Sequence, residues 1–242
     1  RIGPRKVGLG ELEIGFGQSV HQTLNLGLVG NLGQAAIEGQ KRGSDPVALA
    51  GQGLGQLRLY LQPKLHLADN TVMAAEALVR WQHPVRGLVP PMQFIPFAEQ
   101  TGFVRQLTLW MFEEVAKELP RLQSGGHPLR VAINLSTRDL LDQDFPAKLD
   151  AMMLKHNAPT SAFCLEITES AIMDDPQRAE ATLNRLSERG FKLSIDDFGT
   201  GYSSLAYLKR FPISVLKIDR AFIRDLPGSQ KDAAICNAVL DL

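Results

Sequence analysis

Short apolar runs alternate with amphipathic segments along the chain from residue 57 onward. Six of these runs are strand-like. Five of them cover residues 57–63, 71–81, 131–136, 163–168 and 215–219, and the sixth begins at Leu193. In the segment 92–119, apolar residues recur every three or four positions, which predicts an amphipathic helix. Asp175 and Pro176 indicate the start of another helix, Gly190 its end, and Gln230 the start of a last one.

This alternation predicts the fold class. Apolar strands that alternate with helices are typical of parallel βαβ units, in a barrel or a doubly wound sheet. No Gly-x-Gly-x-x-Gly motif follows the first strand, which disfavours a dinucleotide-binding sheet. We therefore expect an α/β fold, a (β/α) TIM-type barrel. The barrel is incomplete, with about six of its eight strands present.

Composition divides the chain into two parts. Residues 1–55 hold 13 of the 21 glycines and a single aromatic residue, Phe16. Such a segment has little apolar surface to bury, so we expect it to be poorly ordered, linker-like or artefactual. The folded domain is expected to cover residues 56–242.

The charge balance limits the partners that the chain can be expected to bind, and the cysteines indicate the compartment in which it works. The 26 basic and 26 acidic residues cancel, so we expect no DNA partner. Cys164 and Cys236 lie too far apart for a zinc motif and are expected to be buried and reduced. The uncharged stretch 14–37 is too polar to span a membrane, and no signal peptide is recognisable. The prediction is a cytoplasmic domain, whose parent protein could be anchored to a membrane through a region absent here.

Polar side chains lie at or near the ends of most predicted strands. In a parallel barrel these strand ends meet on one face. One such residue alone is more often a satisfied buried polar group, and an Asp-Asp pair can equally be a helix cap beside a solvated acid. Together, their oxygen atoms suit Mg²⁺ or Mn²⁺ better than zinc, with Ca²⁺ as an unproductive competitor. The residues are Glu76, Asn134, Glu166, Asp196, Asp197, Lys217 and Asp219.

Several motifs occur in the order found in one bacterial family. The run Glu76-Ala77-Leu78-Val79-Arg80-Trp81 resembles the signature of EAL domains, which are phosphodiesterases specific for cyclic-di-GMP (c-di-GMP). The resemblance extends from residue 57 to the end of the chain. It includes the motifs at residues 60–63, 83–84, 94–99, 134–136, 166–170, 196–205 and 216–220.

The resemblance implies hydrolysis of c-di-GMP to linear pGpG on a TIM-type barrel with two Mg²⁺ or Mn²⁺ ions. It also assigns roles to individual residues. The first metal would be bound by Glu76, Asn134, Glu166 and Asp196, and the second by Asp197, with Asp196 shared. Lys217, Asp197 and Glu76 would be catalytic; Gln62, Leu78, Arg80 and Asp219 would contact the substrate. Glu169 would anchor the loop at residues 196–205, through which the family couples dimerisation to metal binding, so a homodimer is a predicted partner.

The chain departs from the family at its end. Family members continue with two further strands, including a Glu-Gly-Val-Glu motif that does not follow here. We therefore expect residues 1–242 alone to be inactive or nearly so, and the intact protein to be active. Two alternatives stay open at this point: a non-hydrolytic module that binds c-di-GMP or another protein, and an unrelated metal-dependent barrel enzyme that acts on a small phosphate or carboxylate.

Overall fold

The structure is a computed structural model that describes residues 54–66, 69–124, 129–199, 210–226 and 228–240. The predicted glycine-rich segment at residues 1–55 therefore lies almost entirely outside the described residues, as does the second half of the loop at residues 196–205. Seven strands are described: β1 Leu57–His66, β2 Thr71–His83, β3 Gly87–Val89, β4 Arg130–Leu135, β5 Phe163–Thr168, β6 Lys192–Phe198 and β7 Val215–Ile218.

Eight α-helices are described in the same ranges. They are α1 Ile95–Thr101, α2 Val104–Leu122, α3 Thr137–Leu140, α4 Phe145–His156, α5 Glu169–Met173, α6 Pro176–Glu188, α7 Arg220–Ile223 and α8 Gln230–Leu240. Helices follow β4, β5 and β7 directly, as the alternating pattern predicts. None of the helices in the described ranges has both the length and the apolar character that a membrane span requires.

The strands form one sheet in the order β1-β2-β4-β5-β6-β7, and β3 pairs with β2. Strands β2, β4, β5, β6 and β7 are parallel, which confirms the predicted α/β class. Strands β1 and β7 lie at the two ends of this order and do not pair with each other in the described residues, so the barrel is not closed there.

The first predicted strand is parallel to no other, contrary to expectation. Strand β1 pairs antiparallel with β2. The reason is the short connection, since β1 ends at His66 and β2 starts at Thr71. A parallel crossover needs a dozen or more residues, whereas a hairpin needs only a turn. Asn70 supplies the turn with a left-handed φ of 56°, and its N–H donates to the His66 carbonyl at 2.8 Å.

The prediction of a single helix over residues 92–119 is also wrong. The structure has a 3₁₀ turn and two separate α-helices there. A 3₁₀ turn, Pro91–Gln93, precedes α1, and Gly102 ends α1 with a left-handed φ of 80° before α2 begins. The helix boundaries predicted farther along the chain are confirmed. The Asp175 side chain accepts a hydrogen bond from the Arg178 N–H at the start of α6, and Gly190 follows its end with φ 89°.

The core lies between the parallel strands and the helices. Phe163, Leu165 and Ile167 of β5 are fully buried on the helix-facing side, where the Phe163 ring lies 5.7 Å from that of Phe112 in α2. Because successive residues of a strand point to opposite faces, Cys164 and Glu166 point to the inside of the curved sheet. Both cysteines are buried, as predicted, and neither forms a disulfide within the described residues. The same alternation on the neighbouring strands brings the polar residues together on that inner face.

Candidate functional site

Four strands of the sheet direct charged side chains to one point on its inner face. The Lys217 ammonium of β7 lies 2.7 Å from Asp196 Oδ2, 2.9 Å from Glu166 Oε2 and 3.6 Å from Glu76 Oε2. We call these three carboxylates the acidic cluster. Burial opposes the charge of Lys217, but the three carboxylates outweigh it and raise the Lys217 pKa above its ordinary value. The predicted convergence of these strand ends is therefore present in the geometry.

The predicted amide ligand lies at the edge of the acidic cluster. Asn134 on β4 donates from Nδ2 to Glu76 Oε1 at 3.0 Å. In the sheet register Asn134 is directly opposite Glu166, and Glu76 is opposite Gln62 of β1. The Asn134 side chain thus lies beside the acidic cluster.

A second lysine, which sequence analysis missed, also reaches this group. Lys64 of β1 places Nζ 2.6 Å from Glu166 Oε1. Glu166 is fully buried, and each of its two carboxylate oxygens contacts an ammonium group, one from Lys64 and one from Lys217. A lone lysine in a strand carries no motif, but Lys64 is two positions after the predicted substrate contact Gln62. The strand period of two would have put both residues on one face.

Asp196 and Asp197 are adjacent yet both lie at this site because the strand is irregular there. The pairing of β6 with β7 shifts register between Ile195 and Phe198, and Asp197 has a left-handed φ of 54°. The Asp197 N–H donates to Asp196 Oδ1 at 2.9 Å. Such bulges redirect side chains next to active sites, and aspartate tolerates this backbone conformation better than most residues.

A cleft of about 1130 Å³ opens over the acidic cluster. Gln62, Leu78 and Asp219 line it, as do Asn134, Asp197 and Lys217. Asp219 is the N-cap of α7, where its side chain accepts a hydrogen bond from the Ala221 N–H at 2.6 Å. Of the predicted site residues, Arg80, Glu166 and Glu169 are not among the lining residues of this cleft; Glu166 lies fully buried beneath it.

Arg80 lies two positions beyond Leu78 on the same face of β2. Its guanidinium carbon lies 5.8 Å from the ring centre of Tyr60, and its Nη1 donates to the Val79 carbonyl at 2.9 Å. Tyr60 is opposite Leu78 in the β1–β2 register and is 42% exposed. Tyr60 was not identified from sequence as a site residue, because its neighbour is revealed only by the antiparallel pairing of β1.

Glu169 is the first residue of α5, and it contacts the residue that follows β6. Its Oε2 accepts a hydrogen bond from the Gly199 N–H at 3.2 Å, and the side chain is buried rather than on the surface. Gly199 has a left-handed φ of 96°, and a Cβ there would lie 3.0 Å from Phe222 of α7. The contact concerns the first part of the predicted loop, since residues 200–205 are outside the described residues.

The oxygen donors of the site fit a hard divalent cation. Three carboxylates share one point at which a cationic group already lies. Burial, followed by repulsion from Asp196 and Asp219, raises the pKa of Asp197, so a bound cation would favour its ionised form. In the described part of the chain, no three Asp, Glu, His or Cys side chains form a ready-made metal site. The residues that would hold the ion are Glu76, Asn134, Glu166, Asp196 and Asp197.

The family profile of the EAL domain matches residues 48–242. The chain belongs to the EAL family. The motifs quoted from the sequence and the positions of their side chains agree with this membership, and the family's TIM-type barrel agrees with the observed parallel sheet.

Curated EAL relatives include several enzymes of c-di-GMP turnover. The chain is 44% identical over 186 residues to the cyclic di-GMP phosphodiesterase NbdA of Pseudomonas aeruginosa, covering 76% of this chain and 24% of NbdA. It is 37% identical over 185 residues to the phosphodiesterase PdeR of Escherichia coli, covering 76% of this chain and 28% of PdeR. The chain thus spans about a quarter of the length of these relatives.

Solved EAL structures support the fold. The chain resembles a c-di-GMP complex of the P. aeruginosa MucR phosphodiesterase with a TM-score of 0.72 and 42% identity, over 77% of this chain and 76% of that one. It also resembles the P. aeruginosa FimX EAL domain bound to c-di-GMP, with a TM-score of 0.73, over 82% of this chain and 80% of that one. The identity to FimX is 22%, so that likeness concerns the fold alone.

Proposed function

We propose that the protein hydrolyses c-di-GMP to linear pGpG with the help of Mg²⁺ or Mn²⁺. The observation that carries the proposal is the acidic cluster, in which Glu76, Glu166 and Asp196 surround the Lys217 ammonium at the edge of a cleft lined by Glu76 and Asp196. Relatives with the same fold at about 40% identity are named c-di-GMP phosphodiesterases. Their substrate is the one that we assign to this cleft.

In the proposed reaction, water adds to one phosphodiester of the cyclic dinucleotide. A new P–O bond forms, the P–O3′ bond breaks, and a proton passes to the leaving O3′. Divalent ions, when bound, lower the pKa of a water molecule and neutralise charge on the phosphoryl oxygens. Glu76, Asn134, Glu166, Asp196 and Asp197 would hold the two ions, and Ca²⁺ would compete unproductively.

Other residues of this chain would bind and orient the substrate. Lys217 is buried, cationic and surrounded by carboxylates, so its ammonium could donate to the attacking water or to a phosphoryl oxygen. Arg80 carries a planar guanidinium that suits bidentate binding of phosphate. Gln62, Leu78 and Asp219 would contact the dinucleotide from the walls of the cleft.

We also propose that Glu169 links the site to a homodimer interface. Its contact with the Gly199 N–H holds the start of the segment 196–205 against α5. Movement of this segment would shift Asp196 and Asp197, which are its first two residues.

The test is product analysis. The protein expressed from its complete coding sequence is incubated with c-di-GMP and either MnCl₂ or EDTA, and the nucleotides are separated by chromatography. The proposal predicts pGpG with MnCl₂ and none with EDTA. Binding of c-di-GMP in equilibrium dialysis without any pGpG would refute hydrolysis and favour the non-hydrolytic alternative. Absence of both would reject c-di-GMP as the ligand.

A further inference from the structure

Glu166 is contacted by ammonium groups from the two opposite ends of the sheet. Lys217 belongs to β7 and Lys64 to β1, which are the terminal strands in the sheet order. Their Nζ atoms nevertheless lie 2.9 and 2.6 Å from the two oxygens of the same fully buried carboxylate. The curvature of the sheet therefore brings Lys64 across the inner face to the interior strand β5.

We propose that Lys64 is an internal cation with which a divalent metal ion must compete for Glu166. This inference rests on the metal site of the proposed function. Lys64 also lines the cleft, and it would act on the reaction by setting how tightly the ion binds.

The charges of the site support this role. Three carboxylates of the acidic cluster are accompanied by two ammonium groups, which leaves one net negative charge among these side chains. A divalent ion added to Glu166 would lie close to a second positive charge that is also bound to Glu166. Like charges in a poorly hydrated site repel strongly, and Lys64 is only 16% exposed. Removing the Lys64 charge should therefore strengthen metal binding.

A purely structural role of the Lys64–Glu166 ion pair predicts the opposite change in metal affinity. If Lys64 only holds Glu166 in position, its loss leaves a misplaced ligand and weakens metal binding. The affinity for the metal alone, measured without nucleotide, separates the two roles, because it does not depend on turnover.

The experiment compares Lys64→Met with wild type by titrating Mn²⁺ calorimetrically into the protein expressed from its complete coding sequence. We expect the Mn²⁺ dissociation constant to fall on the order of tenfold in Lys64→Met and to change little in Lys64→Arg, which keeps the charge. The matched surface control is Lys148→Met, because Lys148 is paired with Asp142 at 2.7 Å on another part of the molecule. It should leave the dissociation constant unchanged.

Lys64→Gln provides the same comparison should Lys64→Met not fold, since its amide can still donate to Glu166. An unchanged or weaker Mn²⁺ affinity in the neutral variant would overturn the proposal. Hydrolysis of c-di-GMP is assayed separately. Equal Mn²⁺ affinities with normal hydrolysis would therefore reject the role of Lys64 alone, whereas absence of hydrolysis with tighter Mn²⁺ binding would reject only the proposed reaction.

Discussion

The Lys217 ammonium lies 2.9 Å from Glu166 Oε2, and both side chains are buried. Their strands are not neighbours in the sheet, because β6 lies between β5 and β7. The ion pair therefore joins β5 to β7 across β6 on the inner face of the sheet. It also brings one positive charge among carboxylates that would otherwise repel one another.

Loss of Lys217 is predicted to destabilise the fold. In Lys217→Met the buried Glu166 keeps only one ammonium partner, and we expect unfolding to become easier by about 3–5 kcal/mol. Urea unfolding in the presence of EDTA measures this. Lys148→Met, which removes the ion pair of a surface lysine with Asp142, should cost only about 1 kcal/mol. Equal costs for the two variants would contradict the central position of Lys217.

The direction of the Lys217 pKa shift determines how the contribution of Lys217 to stability depends on pH. The folded pKa of Lys217 is raised above its ordinary value of 10.5, because the carboxylates outweigh burial. A raised lysine pKa gives stability that is fully present below the unfolded pKa and is lost only as pH rises through the folded one. The difference in unfolding free energy between wild type and Lys217→Met should therefore not decrease between about pH 6 and pH 9. A steady decline across that interval would be inconsistent with the raised pKa.

Arg80 and Tyr60 are predicted to affect substrate binding more than turnover. Arg80→Ala should raise the KM for c-di-GMP about tenfold or more, with a smaller change in kcat, because a charged hydrogen bond to phosphate is lost. Tyr60→Leu removes the ring beneath the guanidinium and should raise KM about two- to fivefold. Tyr60→Phe keeps the ring and serves as the control. If Tyr60→Phe behaves like Tyr60→Leu, the ring contact is not the cause.

Gly199 is predicted to tolerate no side chain. Its φ of 96° disfavours any L-residue, and an added Cβ would approach Phe222 to 3.0 Å. Gly199→Ala should cost more than about 1 kcal/mol in urea unfolding. Gly55→Ala is the matched control, because nothing lies within 4 Å of its added Cβ and its φ is not left-handed. Similar unfolding curves for the two variants would argue against the described path of the chain after Phe198.

Asp139 is predicted to make stability fall as pH rises above the ordinary aspartate range. Its carboxylate accepts hydrogen bonds from Ser136 and Thr108, but Oδ1 has no partner within the described residues, and burial raises its pKa above 3.8. The folded state therefore holds the proton more tightly than the unfolded state. This contribution is fully present below pH 3.8 and is lost as pH rises through the folded pKa.

The comparison that isolates Asp139 is its asparagine variant, which cannot titrate. The unfolding free energy of wild type minus that of Asp139→Asn should decrease between about pH 4 and pH 7. Urea unfolding at several pH values measures this difference. A difference that stays constant or increases with pH would show that the carboxylate is not held in its neutral form.

The strand positions of Glu76, Asn134 and Glu166 could be predicted from sequence, because one polar residue in an apolar strand has a defined face and the parallel order brings those faces together. The antiparallel direction of β1 could not be obtained in this way, since periodicity carries no direction. Tyr60 was missed for that reason, whereas the period of two would have placed Lys64 on the same face as Gln62. The helix break at Gly102 was missed because an isolated glycine is often tolerated within an amphipathic pattern.

The bulge in β6 is a further feature that periodicity does not encode. A regular strand would send Asp196 and Asp197 to opposite faces of the sheet. The register shift and the left-handed φ of Asp197 instead keep both acids near Asp219 and Lys217. The identities of the acids could be predicted from sequence, whereas the backbone irregularity that unites them depends on the pairing with β7.

The most direct test of the proposed hydrolase is the rate of pGpG formation from c-di-GMP with MnCl₂ in wild type, Asp196→Asn and Asp150→Asn. Asp150 is a surface acid paired with Arg189 at 2.8 Å, and its variant should retain the wild-type rate. Asp196→Asn removes one carboxylate of the acidic cluster while keeping its shape, and the rate should fall by about 100-fold or more. Hydrolysis at the wild-type rate by Asp196→Asn would contradict the assignment of the reaction to this site.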